Sequence, residues 1–143
     1  MSVRHKLGLM AIAAVMSIGA TSIAHATPEV RITMQNLGTT TMNWTSGGGP
    51  NGTAIVALPS SVAASAAPTA RYSVPLNTPA NGVFTYTATG GHSCGYSYSR
   101  SGSCVLTSET AVLQSAGSVC AVVSHGVSGS GSSCINSITY SLK

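Results

Sequence analysis

Val30-Arg31-Ile32-Thr33-Met34-Gln35 alternates apolar and polar residues without a break, and Asn36-Leu37-Gly38 follows it as a turn. Side chains along a strand point to opposite faces with a period of two, so Val30, Ile32 and Met34 belong to one face and Arg31, Thr33 and Gln35 to the other. Met42 and Trp44 continue the pattern on the expected returning strand. Further short runs are expected at Ala54 to Leu58, Ala70 to Val74, Val83 to Ala88, Cys94 to Ser99, Cys104 to Thr107, Thr110 to Leu113, Val119 to Val123 and Ile135 to Leu142. Glycine, proline, asparagine and serine separate them. This spacing predicts an all-β fold, a small single-domain antiparallel β-sandwich of about nine or ten strands, with a closed barrel as the alternative.

No stretch carries a sustained helical stripe. Ser60 to Ala67 is rich in alanine, but Pro59 and Pro68 bracket it and leave room for a turn or two at most. Ser46 to Gly52, with three consecutive glycines and Pro50, has the composition of a flexible loop.

The N-terminus has the parts of a secretory signal. Arg4, His5 and Lys6 form a basic start, Leu7 to Ala20 an apolar stretch, and Ala24-His25-Ala26 a small-x-small cleavage site. The apolar stretch is shorter than the roughly 20 residues that span a bilayer. The expected mature chain is therefore a single exported domain from Thr27 to Lys143, secreted or periplasmic, with no stable membrane anchor.

Glu29 and Glu109 are the only carboxylate side chains, and there is no aspartate. General acid–base catalysis, hard-metal binding and glycoside cleavage draw on clustered carboxylates. Here there is almost nothing to cluster, and no cofactor or metal is expected. The cations after residue 26 are Arg31, Arg71, Arg100 and Lys143, too dispersed for a phosphate-neutralising patch, so nucleic acid is not an expected partner.

Cys94, Cys104, Cys120 and Cys134 are an even set in the second half of a small exported chain, which predicts two disulfides. Ser124 to Ser133 resembles a hairpin loop, and centring it on Val127 places Cys120 opposite Cys134. That favours Cys94 with Cys104 and Cys120 with Cys134. The competing use of these residues is a Cys/His metal site, since His92 lies two residues before Cys94 and His125 five after Cys120, but no CxxC-type pair is present.

Gly91-His92-Ser93-Cys94-Gly95 matches G-x-S-x-G and resembles the nucleophile elbow of lipases and esterases; Ser93, Glu109 and His125 follow that family's triad order. The elbow requires a strand running into a helix. Cys94 to Ser99 instead continues in strand alternation, and Glu109 is expected in a turn. A serine hydrolase using Ser93 is thus a remote alternative.

Tyr96, Tyr98 and Arg100 share one strand face. Two phenol rings beside a guanidinium suit stacking on a sugar or anchoring a protein surface, and they are the candidate binding residues. The reading favoured by Gly95, Ser97 and Ser99 on the other side makes this the core face. The sequons at Asn43 and Asn51 matter only where exported chains are glycosylated.

The expected function is that of a non-catalytic secreted β-domain that binds a protein or carbohydrate surface or self-associates at the cell surface. In architecture the chain resembles a fimbrial subunit, with an alternating first strand and a last strand ending Ile138, Tyr140, Leu142; the resemblance implies strand exchange between neighbours. It departs from that family in placing both cysteine pairs late. The alternative is a pore-forming or membrane-active secreted β-protein, since lipid and lumen faces also alternate.

Overall fold

The computed structural model describes residues Thr27–Lys143; the expected signal segment lies outside the described residues. Ten strands run in chain order: β1 Glu29–Asn36, β2 Met42–Pro50, β3 Thr53–Val56, β4 Ser61–Val62, β5 Thr69–Ser73, β6 Ala80–Ala88, β7 Ser93–Arg100, β8 Leu106–Leu113, β9 Cys120–Ser128 and β10 Ile135–Leu142. They form two five-stranded sheets that pack face to face and do not close into a barrel. Sheet A has the order β3-β5-β1-β10-β9 and sheet B the order β4-β2-β6-β7-β8.

The alternation that opens the chain does what its period requires. Val30, Ile32 and Met34 are fully buried, while Arg31, Thr33 and Gln35 lie on the outer face of sheet A. Their strand does not fold back on β2 as a hairpin. Asn36 turns the chain: its amide donates to the carbonyls of Thr40 and Val62, and its Oδ1 accepts from Gly38 N–H. The turn carries β2 into the opposite sheet. β1 pairs instead with β5 and, in parallel, with β10, register Glu29↔Ile135 to Asn36↔Leu142. The other strand pairings are antiparallel.

Between the sheets lies an aromatic core. Phe84 and Tyr140 meet edge to face with ring centroids 5.8 Å apart, and Tyr96 and Tyr140 are 4.9 Å apart. Tyr96 of sheet B donates to Ser141 O of sheet A at 2.9 Å, and Tyr140 of sheet A returns the link to Ser97 O at 2.6 Å. These two bonds lock β7 over β10 while satisfying phenols that burial would otherwise penalise.

The disulfides join Cys94 to Cys120 and Cys104 to Cys134, correcting the expected pairing. β9 does not turn at Val127; it continues to Ser128, opposite Ile135, so Cys120 faces Leu142 and Cys134 falls beyond the strand after a short 3₁₀ turn at Gly131–Ser133. Cys94, for its part, lies at the start of β7 opposite Leu113, a full strand length from Cys104 in the β7–β8 turn. Hairpin geometry therefore separates the pairs expected within each hairpin, and each cysteine bonds to one from the other sheet's hairpin.

Three other expectations change. The Gly-rich stretch is strand: β2 runs to Pro50 through two irregularities, between Trp44 and Ser46 and between Gly47 and Gly49. The runs near 104–107 and 110–113 are one strand, β8, with Glu109 in its middle and not in a turn. The Ala-rich segment holds the two-residue β4 and a turn.

Candidate functional site

Tyr96, Tyr98 and Arg100 share a face as expected, and it is the inner one. They are 1%, 2% and 1% exposed. Closed over by sheet A, they present no surface on which a sugar or a partner can stack, so the candidate binding face is corrected to a core face. Burial raises the Tyr96 and Tyr98 phenols and lowers the Arg100 guanidinium from their ordinary values. The Tyr98 hydroxyl and Arg100 Nε, Nη1 and Nη2 find no hydrogen-bond partner among the described residues.

The hydrolase constellation is split. Glu109 Oε2 and His125 Nδ1 meet at 3.1 Å across the gap between the two sheets. Ser93 is elsewhere for two geometric reasons. Glu109 stands opposite Tyr98, five residues along β7 from Ser93, which is about 16 Å at strand rise. Five is also odd, so Ser93 lies on the outer face of sheet B while Glu109 lies on the inner face. The Ser93 hydroxyl shares a hydrogen bond with Thr87 Oγ1 at 2.9 Å. His92 and Cys94 form no metal pair, because Cys94 and Cys120 are joined to each other, and no group of three metal-ligating side chains occurs among the described residues.

Glu109 and His125 instead mark the middle of one lateral side of the sandwich, where the edge strands β8 and β9 face each other without pairing. The Cys94–Cys120 disulfide ties this side at one end and Cys104–Cys134 at the other. A groove of about 410 Å³ opens between them, lined by Val105, Leu106, Thr107 and Glu109 from the β8 side and by His125, Gly126 and Val127 from β9.

Here the core is laid open. Leu113 stands opposite the buried Cys94 and Val127 opposite the buried Asn136, so both point to the inner side of their strands. Yet they are 53% and 51% exposed. Val105, which lines the groove, is exposed as well. Val123 is the unpaired residue of a bulge, between Val122 opposite Tyr140 and Ser124 opposite Thr139.

Nothing in the sequence placed β8 and β9 at edges, so this side was not legible as a site. The available signal was Ala121-Val122-Val123, an apolar run that breaks the alternation of a half-buried strand. No protein-family model matches the chain, and no curated protein matches it.

Proposed function

We propose that this protein is an exported, non-catalytic β-domain that self-associates along its β8–β9 side. The observation that carries the proposal is the exposure of Leu113 and Val127, which face the core side of their strands and are left half uncovered. Core-side apolar residues are normally covered, and edge strands are normally blunted by lysine, proline or cover. β8 and β9 contain neither lysine nor proline.

A second copy is the occupant favoured by charge and by size. The titratable side chains on this side, Glu109 and His125, contact each other, so nothing there selects a strongly charged partner. The side is about 26 Å long and, with two sheets about 10 Å apart and their edge side chains, about 20 Å across. That gives about 500 Å² per copy and about 1,000 Å² for a pair, the lower bound of a specific interface. β1 and β10 pair with each other at the centre of sheet A, so association would add to an edge and would not exchange terminal strands. Two disulfides suit an oxidising compartment, which supports export.

Sedimentation velocity across a concentration range tests this. The wild type is expected to sediment faster as concentration rises, and the Leu113→Lys, Val127→Lys double variant to remain monomeric with an unchanged circular dichroism spectrum. A wild type that stays monomeric throughout would refute the assignment, as would a double variant that associates equally well.

A further inference from the structure

The dipeptide Asn-Gly occurs at Asn51-Gly52 and again at Asn81-Gly82. It is chemically labile, because glycine has no side chain to keep its backbone nitrogen away from the amide carbon of the preceding asparagine. The two copies lie side by side. Asn51 N–H donates to Asn81 O at 3.0 Å, and Asn81 N–H donates to Asn51 Oδ1 at 2.7 Å. The fold nevertheless treats their glycines in opposite ways.

Gly82 lies within β6 and is buried. Asn81 turns both its N–H and its C=O toward Asn51. Backbone groups alternate in direction along a strand, so Gly82 turns its own N–H toward β7, where Tyr98 stands opposite and the ladder holds it. The residue is also crowded from both sides. A Cβ on it would sit 2.6 Å from Tyr98 Cε1 and 3.2 Å from Pro50 Cα. Attack on the Asn81 amide carbon needs this nitrogen freed and the strand bent out of its extended form, so it waits on local opening of β6.

Gly52 is under no such restraint. With Asn51 it forms an exposed bend between β2 and β3. Its N–H makes no hydrogen bond among the described residues. The Asn51 side chain is held at Oδ1 by Asn81 N–H, which polarises the carbonyl for attack. Nδ2, the nitrogen that must leave, is held only by a long contact of 3.4 Å to Pro79 O.

We propose that Asn51 is a site of spontaneous deamidation and that Asn81 is protected from it. Gly52 N bonds to Asn51 Cγ, the Cγ–Nδ2 bond breaks, and ammonia leaves with the Gly52 proton. The product is a five-membered succinimide. Water then adds to either ring carbonyl and breaks that carbonyl's bond to Gly52 N, which gives aspartate or isoaspartate. Either product adds a carboxylate to a chain whose side chains carry two. Neither can donate to Pro79 O as the amide does, and isoaspartate also lengthens the backbone beside the Asn51–Asn81 bond, so the end of β2 loosens from β6. β2 and β3 lie away from β8 and β9 in their sheets, so this assignment and self-association can fail separately.

The test is mass-spectrometric peptide mapping of the oxidised, folded chain aged at body temperature and near-neutral pH, beside the reduced chain aged in urea. Trypsin puts the two asparagines on separate peptides, because Arg71 lies between them. In the folded chain Asn51 is expected to convert at least about tenfold faster than Asn81, with isoaspartate among the products. In urea the two should convert at similar rates, since only the dipeptide then matters. An Asn51 amide that survives in the folded chain while converting in urea would overturn the assignment. Conversion of Asn81 at the same rate as Asn51 in the folded chain would overturn it too.

Discussion

Tyr98 and Tyr140 are both buried phenols, and they differ in what their hydroxyls meet. Tyr140 donates to Ser97 O, whereas Tyr98 has no partner among the described residues. Removing a satisfied hydroxyl loses its hydrogen bond, and removing an unsatisfied one relieves a desolvation penalty. Tyr140→Phe should therefore cost about 1 kcal/mol in urea unfolding, and Tyr98→Phe should be neutral or stabilising. Arg100 extends the same logic. A core guanidinium whose three nitrogens are unpartnered among the described residues is a net cost, and Arg100→Met, similar in reach, should raise the thermal midpoint; from buried-charge replacements the gain is about 1 kcal/mol or more. On the outer face, Glu29 is held below its ordinary value of 4.5 by hydrogen bonding to Arg71, with Arg31 assisting against desolvation. A depressed carboxylate adds stability above its unfolded pKa and loses it as pH falls through the folded one. Stability measured from pH 6 downward should thus decline below about pH 4.5, and Glu29→Gln should flatten that decline.

At the scale of elements, β2 shows how pairing overrides composition. Three glycines and a proline read as a loop because nothing local favours a strand. β6 nevertheless holds the segment in register from Met42↔Ala88 to Pro50↔Gly82. Glycine is what makes this possible. Gly47 has φ +107°, and a Cβ there would sit 2.5 Å from Phe84 Cα. Gly47→Ala should cost about 2 to 4 kcal/mol, through both backbone strain and displacement of β6, as judged by chemical denaturation. β8 is the complementary case. Its Ser-Glu-Thr centre interrupts apolar alternation and reads as a turn, but β7 pairs with it on both sides of Glu109. An element's type is legible when its own side chains carry the period, as in β1 and β10. It is not legible when a neighbour's hydrogen bonds supply the order.

For the whole molecule, the disulfides fasten the two sheets along the side where the core is least covered. They close loops with sequence separations of 26 and 30 residues, each contributing about 3.5 kcal/mol in the chain-entropy model. Cys94→Ser with Cys120→Ser should remove about that much from the unfolding free energy, and non-reducing peptide mapping should recover fragments joined as 94–120 and 104–134. The proposed self-association belongs to this scale as well, since it depends on which strands end up at the edges.

The sequence by itself determined the all-β class, most of the strands, the presence of two disulfides and the shared face of Tyr96, Tyr98 and Arg100. These follow from period-two side-chain geometry and from cysteine count, both local properties. Only the tertiary structure decided that this face is the core, that Cys94 reaches Cys120, that β1 lies parallel to β10 and that β8 and β9 are edges. Each of those depends on which strands become neighbours. Alternation says which residues share a face, and is silent on what covers that face.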